Sequence, residues 1–306
     1  MAEIARLQSL GLGLESTAGT AVSATVSIPT DSFNLKHVVE KVQDTNAFGI
    51  IDEVAGSHIA KEGSELTASG IARSQSLGYL LKLALGTAGS ATLVETSVYS
   101  HAFTRLNTNA PKTATIYRNS GVADERAPYH VLDTLEIDAT VGDYVNFSVT
   151  TKGGKIESGT YTPSFLTGTA DEPFKASACT VKFASTIDGL AGASATPLTN
   201  IKFTISKNAM GIYSLGATTL TSNVNQQMGV TGDFEAIYEA NTIRDLFTAN
   251  TKQAIQLTIT GDTLIGATQY NKIVIQIAQA QLETWDRSSD NNNIMTHSVG
   301  FVAEYN

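Results

Sequence analysis

Apolar and polar residues alternate strictly, again and again, along this chain: Val145, Phe147 and Val149 are interleaved with Asn146, Ser148 and Thr150. Successive side chains of a β-strand point to opposite faces, so a sequence written in twos folds as strands with one face on a core and the other in water. Ile201, Phe203 and Ile205 alternate in the same way with Lys202, Thr204 and Ser206, and Ile255, Leu257 and Ile259 with Gln256, Thr258 and Thr260. The pattern returns over Ile273 to Ile277 and Val299 to Tyr305, and more weakly over Thr113 to Arg118, Val131 to Ile137 and Val181 to Ala184. These segments are expected to be half-buried antiparallel strands.

Two stretches depart from this period. Leu77, Leu80, Leu81 and Ala84 are spaced three and four apart ahead of Gly86, which predicts a helix from about Ser74 to Leu85 with a glycine stop. A second, short helix is expected from Thr242, with the Thr242 hydroxyl and Asp245 forming a capping box and Ile243, Leu246 and Phe247 facing inward. A strand over Gly232 to Tyr238 precedes it and the Ile255 strand follows. From Asp31 to Ser69 the charges are mixed and no period is sustained, which reads as a long loop ordered by a partner. Thr151 to Ser177 and Leu190 to Leu198, rich in Gly, Ser, Thr, Ala and Pro, read as loops.

Composition narrows the chemistry. With 306 residues, 42% of them hydrophobic, the chain can bury one large core or two modest ones sharing an interface. Its net charge of -9 and the lack of any Lys/Arg-rich block leave no electrostatic footprint for gripping nucleic acid. Cys179 is the sole cysteine, so an intrachain disulfide, CxxC redox chemistry and a thiolate zinc site are all excluded. No apolar run approaches the roughly 20 residues that span a bilayer, and the start, Met1 to Arg6, does not have the form of a secretion signal. Synthesis and assembly in a cytoplasm, without a membrane partner, are the expectation.

The candidate motifs for catalysis and ligand binding fail on their context. Gly11 and Gly13 lack a following Gly-Lys-Ser/Thr and a βαβ setting, so a turn or flexible arm is expected there. His37, His58, His101, His130 and His297 show neither HExxH nor a helical pair. Asp286 to Asn293 offers oxygen ligands but lacks the sixth-position glycine and closing glutamate of a calcium loop, and reads as a polar loop. Asn146-Phe147-Ser148 matches a glycosylation acceptor but sits within a strand. Trp285 reads as a packing anchor. Without a convergent acid, base or metal cluster, the expectation is a protein that is not an enzyme and takes no cofactor and no metal.

Leu10-Gly-Leu-Gly-Leu-Glu-Ser-Thr-Ala-Gly-Thr-Ala, Ile28-Pro29-Thr30, Gly70 and the Leu80 to Gly86 helix end together resemble the opening of the bacteriophage tail tube proteins, the major tail proteins of long-tailed phages. His101 to Thr104, Thr113 to Tyr117, Val131 to Val149 with its Gly142 turn, Asn200 to Asn208 and the strand-helix-strand unit around Thr242 are similar to the family's middle and end. The resemblance implies a mainly β fold, an antiparallel β-sandwich or barrel with a flanking short helix and a long inter-subunit loop. It also implies six subunits closing into a hexameric ring, rings stacking into a hollow tube, and a virion protein. Double-stranded DNA would pass down the bore without specific binding; a tape measure protein, a tail terminator and tail tip or baseplate proteins would be partners beside the chain itself.

On that basis the chain is expected to be one tail-tube domain over residues 1–306. It would carry an N-terminal arm (1–30), a stacking loop (31–69) and an inserted or projecting region (151–198). Sheet edges of neighbouring copies would pair to close the ring. The second, head-to-tail interface would use the arm and the loop, with Lys36, Glu40, Asp44, Asp52, Glu53, Lys61, Glu62 and Glu65 as its stacking residues. The strand pattern alone equally allows a discrete β-sandwich binding module, such as a virion decoration or glycan-binding domain.

Overall fold

The structure, a computed structural model, describes residues 4–49, 51–120, 122–161, 171–288 and 293–304. Its twelve strands of six or more residues carry the two layers: β1 (Ser9–Leu14), β2 (Ser32–Asp44), β3 (Gly56–Ile71), β4 (Ala114–Asn119), β5 (Asp124–Thr140), β6 (Val145–Gly153), β7 (Cys179–Ala184), β8 (Leu198–Ser206), β9 (Gly229–Ile237), β10 (Gln253–Leu264), β11 (Tyr270–Arg287) and β12 (Thr296–Ala303). Ten of them follow one hydrogen-bonded path, β7-β10-β11-β12-β9-β8-β5-β6-β3-β2, and every pair in it is antiparallel.

The long strand β5 turns the corner between layers. Its first residues pair with β4, which pairs with β1; its later residues, from Val131, pair with β6 and, from Thr134, with β8. The change of partner falls where the register shifts, at Pro128 and Tyr129, and Tyr129 takes a positive φ of 63°. Bulges are the usual device for bending a strand from one sheet to another. At the far side the sheet curls back: Thr196 N–H donates to the Val181 carbonyl, so the segment entering β8 covers the outer edge of β7.

Each alternating segment falls on one of these strands, with Thr113 and Glu304 just outside β4 and β12, and its apolar half faces a single core. Leu135, Ile137, Phe147, Val149, Ile201, Phe203, Ile255, Leu257, Val299 and Phe301 all belong to one cluster. The Phe203–Phe301 rings meet edge to face with centroids 5.7 Å apart, and Phe183 packs on Phe234 at 5.1 Å. The helix α1 (Ser76–Leu85) lays Leu77, Leu80, Leu81 and Leu83 into the same cluster and ends at Gly86, whose φ of 86° and N–H bond to the Lys82 carbonyl are those of a glycine stop.

Four local expectations are corrected. The second helix, α2 (Thr242–Thr248), is capped at Asn241 without a side-chain bond, because Asp245 turns outward to the Arg244 guanidinium; its Ile243, Leu246 and Phe247 are half-buried against the core. Gly11 and Gly13 lie in β1, and a Cβ on Gly13 would meet the Ser23 carbonyl, so this glycine serves close backbone approach, not a turn. Much of the stretch expected as an arm is thereby built in, with Leu10, Leu12, Val26 and Ile28 in the core. And Asp31 to Ser69 is not a loop: it is the β2–β3 hairpin. Part of the 151–198 region (162–170), Tyr305, and four residues of the Asp286 to Asn293 loop lie outside the described residues.

Candidate assembly surface

The β2–β3 hairpin leaves the body of the protein part-way along its length. Near its base, Leu35, Leu66 and Ala68 reach the core, and β3 is flanked by β6 from Ile71 to Ser64. Past Ser64 the body touches β3 again at Glu62, whose N–H donates to the Thr218 carbonyl and whose carboxylate meets Lys155, and at Lys61, which lies over the Tyr213 ring. From Val38 and Lys61 outward the two strands pair with each other alone, in register from Val38↔Gly63 to Asp44↔Gly56 with one shift at Glu40/Lys41. A two-stranded ribbon is at best marginally stable in water, so this one is built to be completed by something else.

Its side chains agree. Val38, Val39, Val42 and Ile59 are 42%, 37%, 44% and 39% exposed, although β-branched residues gain most by packing. Phe48, Ile51 and Val54 are exposed at the tip. Both ribbon faces are thus partly apolar and wet, and the outer edge of β2 is unpaired along all its 13 residues among the described strands. Such an edge is a template for another chain.

The charged residues expected to act together are spread along this ribbon. Lys36 and Glu65 face each other across the strands, and Glu40 and Lys61 form an ion pair at 2.9 Å that holds the Lys61 ammonium above its ordinary pKa. Asp44 accepts from the Asn46 backbone N–H, closing the tip, and Asp52 and Glu53 are exposed within it. Glu62 is different: it is buried, with Lys155 Nζ at 2.6 Å and His37 Nε2 at 3.8 Å, so its carboxylate is engaged inside the chain. The expectation named the charged residues of this segment and not its four exposed β-branched ones, Val38, Val39, Val42 and Ile59, of which the adjacent Val38-Val39 pair was the visible signal.

A second surface is the outer face of the sheet. Register places Glu235, Asn200 and Thr140 in one row across β9, β8 and β5, and Asp233, Lys202, Asp138 and Asn146 in the next, running on to β6. Glu136 and Ser148 follow, with Ser69 and Ser32 beyond. Lys202 is the one cation of the central rows, paired with Glu136 at 3.0 Å. Asp233 is held above the usual carboxylate range, first by partial burial and then by Asp138 and Glu136, with Lys202 opposing. The face is polar, weakly acidic, and offers phosphate no cluster of cations.

Among the described residues no three His, Cys, Asp or Glu side chains come together as a metal site. Burial pushes the Cys179 thiol up to about 11, which leaves it protonated and unreactive at neutral pH. His130 is fully buried between the Ser64 and Thr151 hydroxyls, at 2.9 and 2.7 Å. Because Ser64 donates to the Gly154 carbonyl, its oxygen must accept from His130, which fixes the Nε2–H tautomer.

A β-rich chain with one shared core, a projecting ribbon and an open strand edge has the build of a structural protein that associates with its own kind. The sequence profile of the phage tail tube protein family matches residues 5–302, and the chain belongs to that family. It is therefore a structural component of a virion tail. No curated protein matches it.

Proposed function

We propose that copies of this chain close into rings of sixfold character, that the rings stack into a hollow tube, and that double-stranded DNA passes through the tube into the host cell. The observation that carries this reading is the β2–β3 ribbon, partly apolar on both faces and unpaired along β2 among the described strands. In a stacked tube the ribbon reaches the neighbouring ring and buries Val39, Val42 and Ile59 there, with Glu40, Asp44, Asp52, Glu53 and Lys61 around them and Lys36, Val38 and Glu65 at the ribbon's base; head-to-tail contacts of that kind repeat without limit until a capping protein stops them. Family membership favours this over a discrete binding module.

The polar, acidic outer face of the sheet suits the bore, because Asp and Glu give phosphates nowhere to stick. During assembly the tape measure protein would occupy that space. A terminator and the tip or baseplate proteins would meet the two ends, with assembly in the host cytoplasm. The ribbon's role is tested with Val39→Asp/Val42→Asp, both exposed and outside the core. The variant should fold and remain in the supernatant under conditions where the parent protein sediments as tubes; sedimentation equal to the parent's would refute a stacking role for the ribbon.

A further inference from the structure

We infer that this chain holds two tube units in tandem, and that three copies rather than six close a ring through pairing of β11 with β2 of the next copy. The inference rests on the tube reading above. It starts from connectivity. Chain order runs strand, strand, strand, helix, strand, strand, strand from β1 to β6 around α1, and runs so again from β7 to β12 around α2. The hydrogen-bonded order is β1-β4-β5-β6-β3-β2 in the first series and β7-β10-β11-β12-β9-β8 in the second, all antiparallel. Adding six to each label of the first order gives the second.

Detail supports the match. Both fifth strands are long and change partners midway: β5 leaves β4 for β6, and β11 leaves β10 for β12. Both carry a register shift against their later partner, between Leu132 and Thr134 and between Leu282 and Thr284, in Leu132-Asp133-Thr134 and Leu282-Glu283-Thr284. Beyond each shift, Leu135 pairs with Val149 and Trp285 with Val299. A bulge at one matched position is a conserved design feature of a strand, not an accident of packing.

The two units are joined inside the chain by β5 and β8, from Thr134↔Ser206 to Thr140↔Asn200. Among the described residues the equivalent edges at the ends of the molecule are unfilled: Leu282 to Arg287 of β11 pairs only with β12, and β2 pairs only with β3. Transferring the internal register, through Ala68↔Phe33 and Phe234↔Ile201, sets Thr284 opposite Val38 of the next copy, Trp285 opposite His37, and Asp286 opposite Lys36. Asp286 and Lys36 are exposed and of opposite charge. Among the described residues no acceptor meets the buried Trp285 Nε1, and an imidazole from the next copy would supply one.

Size separates three copies from six. Each copy contributes eight strands to the closed sheet, β11 through β2 in the hydrogen-bonded order. At ~4.8 Å per strand, three copies give a backbone cylinder about 37 Å across, or about 48 Å with a strand tilt of roughly 40°. Side chains of ~5 Å on each wall leave a bore of roughly 27–38 Å, enough to pass a DNA duplex. Six copies give about 73 Å even without tilt, far wider than the cargo.

The test combines a count with a cross-link on the full chain. Cryo-electron microscopy of assembled rings or tubes should show three copies of the 32.3 kDa chain per ring. Lys36→Cys/Asp286→Cys, in a Cys179→Ser background, should give disulfide-linked multimers on oxidation of assembled material and not of dilute monomer. Asp286→Lys should reduce assembly at least tenfold, and Lys36→Glu/Asp286→Lys should restore it. Six copies per ring, or an assembly in which the cysteine pair never cross-links, would overturn this inference while leaving the tube reading intact. A chain that forms neither rings nor tubes would overturn the tube reading itself, and this inference with it.

Discussion

At the scale of single residues, the most demanding site is the His130 pocket, which is polar, dry and closely fitted. The ring lies so near Gly153 that a Cβ there would overlap it. Gly153→Ala is expected to destabilise the fold by about 1–3 kcal/mol, the usual cost of forcing atoms into a packed interior, as measured by denaturant midpoint. His130 is also a source of acid sensitivity. Burial lowers its pKa from 6.5 to about 3, so below pH 6.5 the unfolded chain takes up a proton that the folded chain refuses. Its stabilising effect is complete above pH 6.5 and is lost as the pH falls toward 3, at about 1.4 kcal/mol per pH unit. His130→Gln should flatten the fall of the unfolding midpoint between pH 6.5 and 4; an unchanged slope would mean that other groups dominate. Neither feature was legible in the sequence, because one histidine among five scattered ones gives no hint of which is buried.

At the scale of elements, alternation located most strands with one face on the core, but missed β1 and the bases of β2 and β3, which also reach it. The β2–β3 ribbon beyond Glu40 and Lys61 has both faces in water, so no period was selected and the segment read as a loop. The same physics explains the misjudged arm: β1 is buried from Leu10 to Gly13, so Gly11 and Gly13 look like flexibility when they mark close contact. Thr242 and Asp245 had the spacing of a capping box, but the nearby Arg244 offered Asp245 a stronger partner. For the core elements the expectation is ordinary and checkable. Phe301→Ala, which removes a ring packed between Phe203 and Phe234, should cost about 3–5 kcal/mol in equilibrium unfolding. The ribbon, by contrast, should tolerate Val42→Ser with little change in monomer stability, since its cost falls on assembly; thermal melting and sedimentation together separate the two.

At the scale of the whole molecule, the chain is a pair of open edges on either side of one packed body, with an acidic sheet face between them. The two-fold internal repeat escaped the sequence because the halves share a connectivity and a bulge but few residues, and because α1 spans ten residues where α2 spans seven. The acidic face carries its own prediction: Glu136→Lys/Asp138→Lys/Asp233→Lys should leave tubes intact yet slow DNA release from reconstituted phage, and unchanged ejection kinetics would argue against an electrostatic role for the bore. The most direct test of the central claim is negative-stain electron microscopy of the purified chain, with tail tip complex as seed. Hollow rings or tubes of uniform bore are the expected result; discrete single particles at every concentration, with or without the seed, would contradict it.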